Sequence, residues 1–341
     1  MRAYVLVQPG KVELRELPRP QPGADDVVIR VRAALTCGTD IKAFVRGHPK
    51  FPMPTLFGHE LSGEIAALGK NVRGFHEGDA VMATPTGPCG ACFYCGRGQE
   101  NLCDTIMQTM VLGAYADYVR LPSRVVRTNL FAKPQAMSFP VAALLDPLSC
   151  VIHGLELVTV RPDDTVVLIG AGAISLLHLL ALRARGNDNV YVIGRSPQRA
   201  AFAQRLGCKG VLLGGIEAAR QHVLDRTGNR GADIVIECTG QLEVWEAAPS
   251  LVRRGGTVIF FGGCSPGTHV PIDTQRFHYD GLRLLSPFHS TPRAVRAARE
   301  LLVSESFNAA ALITGEYRLD ALSDALVAHL RGEGIKFAIL P

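Results

Sequence analysis

The sequence predicts an α/β protein in which a β-rich part is joined to a doubly wound parallel sheet. Three observations carry this. Residues 1 to about 140 run as short apolar stretches cut by Pro and Gly turns, Val27-Val28-Ile29-Arg30-Val31 being one. Such punctuation suits a barrel better than a helical bundle. From about residue 141 apolar strands alternate with helices, the pattern of a parallel sheet. After about residue 290 a helix leads back to short β elements ending at Pro341. The expected division is a discontinuous β-rich domain, 1–142 and 291–341, around a contiguous domain, 143–290.

Each element of the second region has its own signal. Val141–Leu157 has helical periodicity. Thr165–Ile169 is a buried strand, followed by a glycine-containing turn and an apolar helix to about Gly186. The strand Asn189–Ile193 and the helix Pro197–Leu206 come next. The strand Ala232–Glu237, the helix Leu242–Val252 and the strand Thr257–Phe261 complete the alternation. The later helix spans Pro292–Glu305.

Composition bounds the function. A chain of 341 residues with 47% apolar and 20% charged residues has core enough for about two domains. The net charge is +5, and Lys and Arg are scattered without a basic run. Nucleic acid is therefore not an expected partner, although the mild positive balance suits an anionic small molecule. The N-terminus, MRAYVLVQPG, lacks the apolar core and cleavage site of a signal peptide and reads as a first strand. Apolar stretches of about ten residues are too short for a bilayer, so no membrane association is expected. The cytoplasm is the expected compartment, and an odd total of nine cysteines suits reducing conditions.

Four of those cysteines, Cys89, Cys92, Cys95 and Cys103, follow the spacing C-x2-C-x2-C-x7-C. Four thiolates from one tight loop match a closed tetrahedral zinc site, which is structural because no position is left for substrate. A pair of disulfides, or four ordinary buried cysteines, is the alternative.

Gly170-Ala171-Gly172 follows a strand and opens a helix, the context in which such glycines bind a dinucleotide. Gly170 would permit the turn. Gly172 would let the backbone approach a pyrophosphate at the helix N-terminus. Ser175 stands where a third glycine is usual, and its small side chain keeps helix and strand close. The second strand ends in Gly194-Arg195-Ser196, without the acidic residue that selects NAD. Arg195, Ser196 and Arg199 offer charge and hydrogen bonds to a 2′-phosphate, so NADP is expected over NAD. The competing reading makes both arginines solvated residues at a helix start, or stacks them on adenine.

Cys37-Gly38-Thr39-Asp40 and Gly58-His59-Glu60 supply a thiolate and an imidazole for a second zinc. Asp146 could add a carboxylate, leaving a fourth position open as in catalytic sites. The pieces lie far apart in sequence, and each alone is more often structural.

Taken together these motifs resemble a zinc-dependent medium-chain alcohol dehydrogenase, in particular its sorbitol (L-iditol) and threonine dehydrogenase branch. Gly74-Phe75-His76-Glu77-Gly78-Asp79-Ala80-Val81, Asp146-Pro147-Leu148 and Glu237-Cys238-Thr239-Gly240 complete the set. The resemblance covers essentially the whole chain and implies a GroES-like β-rich catalytic domain with a Rossmann cofactor domain. It implies that Cys37, His59 and Asp146 ligate the catalytic zinc, with Glu60 able to join. Asp40 would hold the His59 tautomer, and Thr39 would contact the substrate alcohol. Ile174, Cys150 and Thr239 would belong to the cofactor site. Relatives often carry a histidine at the outer end of a proton relay where this chain has Lys42. An ordinary lysine pKa of about 10.4 makes it a poor acceptor near neutral pH, so Thr39 with water, or Glu60, would release the proton.

The expected activity is reversible oxidation of a secondary alcohol, polyol-like, by hydride transfer to NAD(P) in a cleft between the domains that excludes water. A primary-alcohol dehydrogenase or aldehyde reductase is the nearest alternative. A non-catalytic cofactor-binding or redox-sensing protein is the alternative of another class. The resemblance also implies a homotetramer, a dimer being the smaller option. Gly255–Gly263 and the strand near Leu282–Ser286 would be the sheet edge, unless they form an ordinary internal pair.

Overall fold

A computed structural model describes residues 1–48 and 51–341 and divides them into two compact units. The first is Met1–Ser149 with His289–Pro341, and the second is Cys150–Phe288. In chain order the first holds β1 (Arg2–Gln8), β2 (Lys11–Glu16), β3 (Val27–Leu35), α1 (Gly38–Arg46), β4 (Thr55–Leu56) and β5 (Glu60–Leu68). It continues with β6 (Ala80–Ala83), β7 (Tyr118–Leu121), α2 (Ser123–Thr128), β8 (Leu130–Ala132) and α3 (Phe139–Ala142). Helix α4 (Leu145–Glu156) runs unbroken from one unit into the next, so no turn signal marks the crossing between Ser149 and Cys150. The second unit holds β9 (Val166–Ile169), α5 (Ala173–Ala184), β10 (Val190–Gly194), α6 (Pro197–Arg205), β11 (Gly210–Leu213) and α7 (Ile216–Arg226). It ends with β12 (Ala232–Glu237), α8 (Leu242–Ala247), β13 (Val252–Phe260), α9 (Thr274–Tyr279) and β14 (Arg283–Leu285). The chain returns to the first unit through α10 (Pro292–Val303), β15 (Ile313–Arg318), α11 (Leu322–Arg331) and β16 (Lys336–Leu340).

The main sheet of the first unit runs β15-β16-β3-β5-β6-β8, with β7 also on β3. Along β3, Ile29, Val31 and Ala33 are buried and Arg30 and Arg32 are exposed, the period of two that one packed face requires. The apolar face closes over Leu6, Ile29, Phe57, Leu61, Tyr115, Leu322 and Ile339. Strand β16 joins β3 in antiparallel register, Ala338 opposite Leu35, so the last residues of the chain complete this sheet. A smaller sheet, β2-β1-β4, lies in the same unit.

The sheet of the second unit is parallel, in the order β11-β10-β9-β12-β13-β14. Strand order reverses beside β9, which is the topological switch point where open α/β sheets bind ligands. All four residues of β9 are buried, as a strand covered on both faces must be.

Four expectations need correction. Helix α8 stops at Ala247, because Pro249 enters a 3-10 turn over Ala248–Leu251 and β13 already begins at Val252. The C-terminal run is not purely β: α11 intervenes, with Leu322, Ala325 and Leu326 buried and Gly332 at φ +76 ending it. Strand β13 lies between β12 and β14, so only β14 forms that edge of the sheet. The apolar stretches also run longer than about ten residues. Phe139–Glu156, the span of α3 and α4, is by length and composition apolar enough to cross a membrane, yet 72% of it is buried inside the protein, as core helices are.

Candidate metal and dinucleotide sites

In the first unit, register assembles the site. Leu35, at the end of β3, pairs with Glu60, at the start of β5. Cys37 follows β3 and caps α1, its Sγ accepting the Thr39 amide at 3.5 Å. His59 directly precedes β5. Donor atoms of Cys37, His59 and Glu60 therefore fall within 4.8 Å of one another, with His59 and Glu60 buried. Asp146 is not part of that trio. It sits in the first turn of α4, buried, with Oδ2 4.0 Å from His59 Nε2.

Other buried groups surround the trio. Asp40, on α1, is fully buried and its Oδ1 lies 2.9 Å from His59 Nδ1. With Nδ1–H donating there, Nε2 keeps the lone pair a metal needs. Tyr115 donates its hydroxyl to Asp40 Oδ2 at 2.7 Å and lies 3.0 Å from the Leu35 carbonyl. Gly58 (φ +85) passes so close to the Tyr115 ring that a Cβ there would meet it at 2.7 Å. Lys336, from β16, donates to Glu60 Oε2 at 2.5 Å and to the Thr36 carbonyl at 3.1 Å. Thr39 is half-buried in the first turn of α1.

The electrostatics suit a cation. Burial pushes the Asp146 carboxyl up to about 7, and burial also raises Glu60 against the pull of Lys336. Burial disfavours a charged His59, but Asp40 and Cys37 outweigh it and the imidazole pKa is raised well above its ordinary value. Metal binding would displace that proton. Burial and Asp40 together hold the Tyr115 hydroxyl protonated, well above its usual range. Glu60 Oε1 and Asp146 Oδ1 are buried with no hydrogen-bond partner among the described residues. Buried carboxylate oxygens of this kind need compensation, and a zinc ion taking sulfur, nitrogen and oxygen donors fits them.

The cysteine lobe is a second cluster. Donor sulfurs of Cys89, Cys92, Cys95 and Cys103 lie within 4.8 Å of one another, and all four are free of disulfides. Backbone amides of Ala91 and Cys92 donate to Cys89 Sγ at 3.4 and 3.3 Å, and the Cys89 amide donates to Cys103 Sγ at 3.3 Å. Burial opposes charge on Cys103, yet the backbone amides of Cys89 and Thr105 lower its thiol to about 6, while burial pushes Cys95 up to about 12. Four sulfurs in this arrangement fit a zinc ion with no open position.

In the second unit, β9 leads into Gly170 at φ +108, where Thr239 Cγ2 would lie 3.1 Å from any Cβ. Gly172 caps α5 with extended backbone, and a Cβ there would meet nothing within 4 Å. Packing within the protein does not demand glycine at 172; a phosphate group over the helix N-terminus would. Thr239 is fixed by the buried Glu237, whose carboxylate accepts its amide and hydroxyl at 2.5 Å and the Gly240 amide at 3.0 Å. Ser175 is fully buried and its Oγ has no partner among the described residues. The Ile174 carbonyl accepts from His178 Nδ1 at 2.9 Å. Gly194 ends β10, Ser196 caps α6 by accepting the Arg199 amide at 3.4 Å, and Arg199 is half-buried. Arg195 is exposed and donates to Gln241 Oε1 at 3.3 Å. Cys150, on α4, is half-exposed.

Sequence reasoning passed over Lys336, Tyr115, Glu237 as a clamp on Thr239, and Gln241. Lys336 alone left a signal, a single charge inside the apolar run Ile335–Leu340. Tyr115 looks like any core aromatic.

Fold and sites define a class, the zinc-binding dehydrogenases that use a nicotinamide dinucleotide. Residues 23–129 match the alcohol dehydrogenase GroES-like domain, and residues 173–304 match the zinc-binding dehydrogenase domain. The chain is 32% identical over 320 residues to the D-altritol 5-dehydrogenase of Agrobacterium fabrum (strain C58), covering 92% of this chain and 91% of that protein. It is 28% identical to the sorbitol dehydrogenase of Bacillus subtilis (strain 168), covering 100% and 97% of the two. A protein of Sinorhizobium meliloti 1021, assigned as a zinc-binding dehydrogenase and crystallised with NADP, superposes with a TM-score of 0.89 at 28% identity, over 100% of this chain and 99% of that one. The chain belongs to the zinc-dependent medium-chain alcohol dehydrogenase family.

Proposed function

We propose that this enzyme interconverts a secondary alcohol of a polyol and its ketone, preferring NADP. One observation carries the reading: the trio of Cys37 with the buried His59 and Glu60, Asp146 beside it, and one oxygen of each carboxylate left unpartnered among the described residues. Cys37, His59 and Asp146 would hold the catalytic zinc, with Glu60 adjacent, and the four lobe cysteines the structural one. Bound there, zinc would supply Lewis acidity toward the substrate oxygen, and the bound nicotinamide would supply the hydride acceptor. Asp40 holds the proton on His59 Nδ1 and so keeps Nε2 as the donor atom. The Thr39 hydroxyl takes the alcohol proton and passes it to water. Gly170 and Gly172 admit the pyrophosphate, and Ile174, Cys150 and Thr239 border the nicotinamide half.

The polyol assignment draws on relatives named for altritol and sorbitol. The NADP preference draws on Arg195 and Ser196, at the end of β10 where an acidic residue would select NAD, and on the relative crystallised with NADP. Cytoplasmic residence and a homotetramer belong to the same reading, with β14 as the sheet edge available for assembly. Light scattering reads the subunit number.

The test is a rate screen over polyols, amino alcohols and simple secondary alcohols with NADP and NAD. The expected result is turnover of a polyol with a higher kcat/KM for NADP. Cys37→Ser should abolish turnover and keep cofactor binding. Undiminished turnover in that variant would remove the metal from the chemistry, and a higher kcat/KM with NAD would remove the NADP assignment.

A further inference from the structure

We infer that Lys336 decides how Glu60 meets the catalytic metal: it ties down Oε2 and leaves Oε1 as the single oxygen that Glu60 can offer. The inference rests on the metal site proposed above. Lys336 is 1% exposed in a strand that otherwise reads Phe-Ala-Ile-Leu. A buried ammonium is unfavourable unless its partners compensate it, so those partners are informative. Its Nζ donates to Glu60 Oε2 at 2.5 Å and to the Thr36 carbonyl at 3.1 Å. Thr36 directly precedes Cys37, and Glu60 directly follows His59. Lys336 thus joins the two segments that carry candidate ligands, from a strand that carries none.

The anchor at Thr36 is itself held. The Phe337 amide donates to Thr36 Oγ1 at 3.0 Å, and His329 Nδ1 lies 2.9 Å from the same oxygen. Both come from the α11–β16 segment that carries Lys336. The ammonium therefore has a fixed position, and the Glu60 oxygen bound to it does too. Oε1 remains, buried and without a hydrogen-bond partner among the described residues. A carboxylate tethered this way is a weaker, single-oxygen donor. A zinc held by Cys37, His59 and Asp146 then keeps a fourth position at which a substrate oxygen can displace Oε1. Released from Lys336, Glu60 could offer both oxygens and close the position.

The test uses full-length protein with Co2+ as the probe. Subtracting the spectrum of the matching Cys37→Ser protein isolates this site from the cysteine lobe. In Lys336→Met the Cys37-dependent visible bands should weaken and shift as cobalt gains a ligand. Chelator-driven zinc release from the same site should slow by about tenfold, the scale on which outer partners act on metal sites. Lys336→Arg should keep the wild-type spectrum, and the double variant Glu60→Leu/Lys336→Met should regain the wild-type band intensity. A purely packing role for Lys336 does not predict that recovery. An unchanged spectrum and release rate in Lys336→Met, or a double variant that keeps the spectrum of Lys336→Met, overturns the inference. Should Lys336→Met not fold, Lys336→Gln carries the same reading. A wild-type chain with no Cys37-dependent band is a separate failure, that of the metal site itself.

Discussion

Tyr115 reaches His59 through one intermediary, the Asp40 carboxylate. Tyr115→Phe keeps the ring that packs on Gly58 and removes only the hydroxyl that donates to Asp40. Zinc affinity, measured by chelator competition, should fall about tenfold with little change in melting temperature. Gly58→Ala does the opposite. A Cβ would strike the Tyr115 ring and the left-handed backbone would be strained, so stability should fall by more than about 1 kcal/mol in a denaturant melt. Asp40 was legible because it lies in the Cys-Gly-Thr-Asp motif. Tyr115, 75 residues further along, was not, because nothing local marks a core tyrosine whose hydroxyl serves a distant carboxylate.

Helix α5 carries a buried histidine that the proposed cofactor role does not explain. Burial lowers the His178 pKa to about 4, although its bond to the Ile174 carbonyl works the other way. The folded pKa is below the unfolded value of about 6.5, so acid protonates the unfolded chain first. Stability is then lost as pH falls from about 7 toward 4, by about 2 kcal/mol at pH 5 from this group. Denaturant melts of the wild type and His178→Gln at pH 7 and pH 5 should show the slope in the former and a flatter one in the latter. The cysteine lobe is the other element with a local prediction. On the proposed two-zinc reading, Cys92→Ser should lower zinc from two ions per chain to one by metal analysis, and expose the lobe to proteolysis while the Cys37 site keeps its ion. The lobe was readable because its spacing confines four sulfurs to one loop. Helix α11 has its own signal too, in Leu322, Ala325, Leu326 and Gly332, but short strands flank it on both sides and mask it.

The two units differ in how the chain builds them. Cys150–Phe288 is one contiguous stretch with its own core of Val167, Ile169, Val235, Val258 and neighbours. Expressed alone it should unfold cooperatively and retain dinucleotide binding by calorimetry. The other unit needs both ends of the chain. A protein ending at residue 308 lacks β15, α11 and β16, removes the β16 partner of β3 at Ala34 and Leu35 while β5 remains on the other side, and loses Lys336. It should lose the Cys37-dependent cobalt signal while nucleotide binding persists. The sequence by itself determined the parallel sheet, the glycine turn at 170–172 and the four-cysteine lobe. Each depends on residues close along the chain, where spacing dictates geometry. Tertiary structure alone decided that Cys37, His59 and Glu60 converge, that Asp146 stands beside them, and that Lys336 and Tyr115 brace them. Those relations follow from strand register and from β16 joining β3 across some 300 residues, contacts whose formation no local pattern encodes.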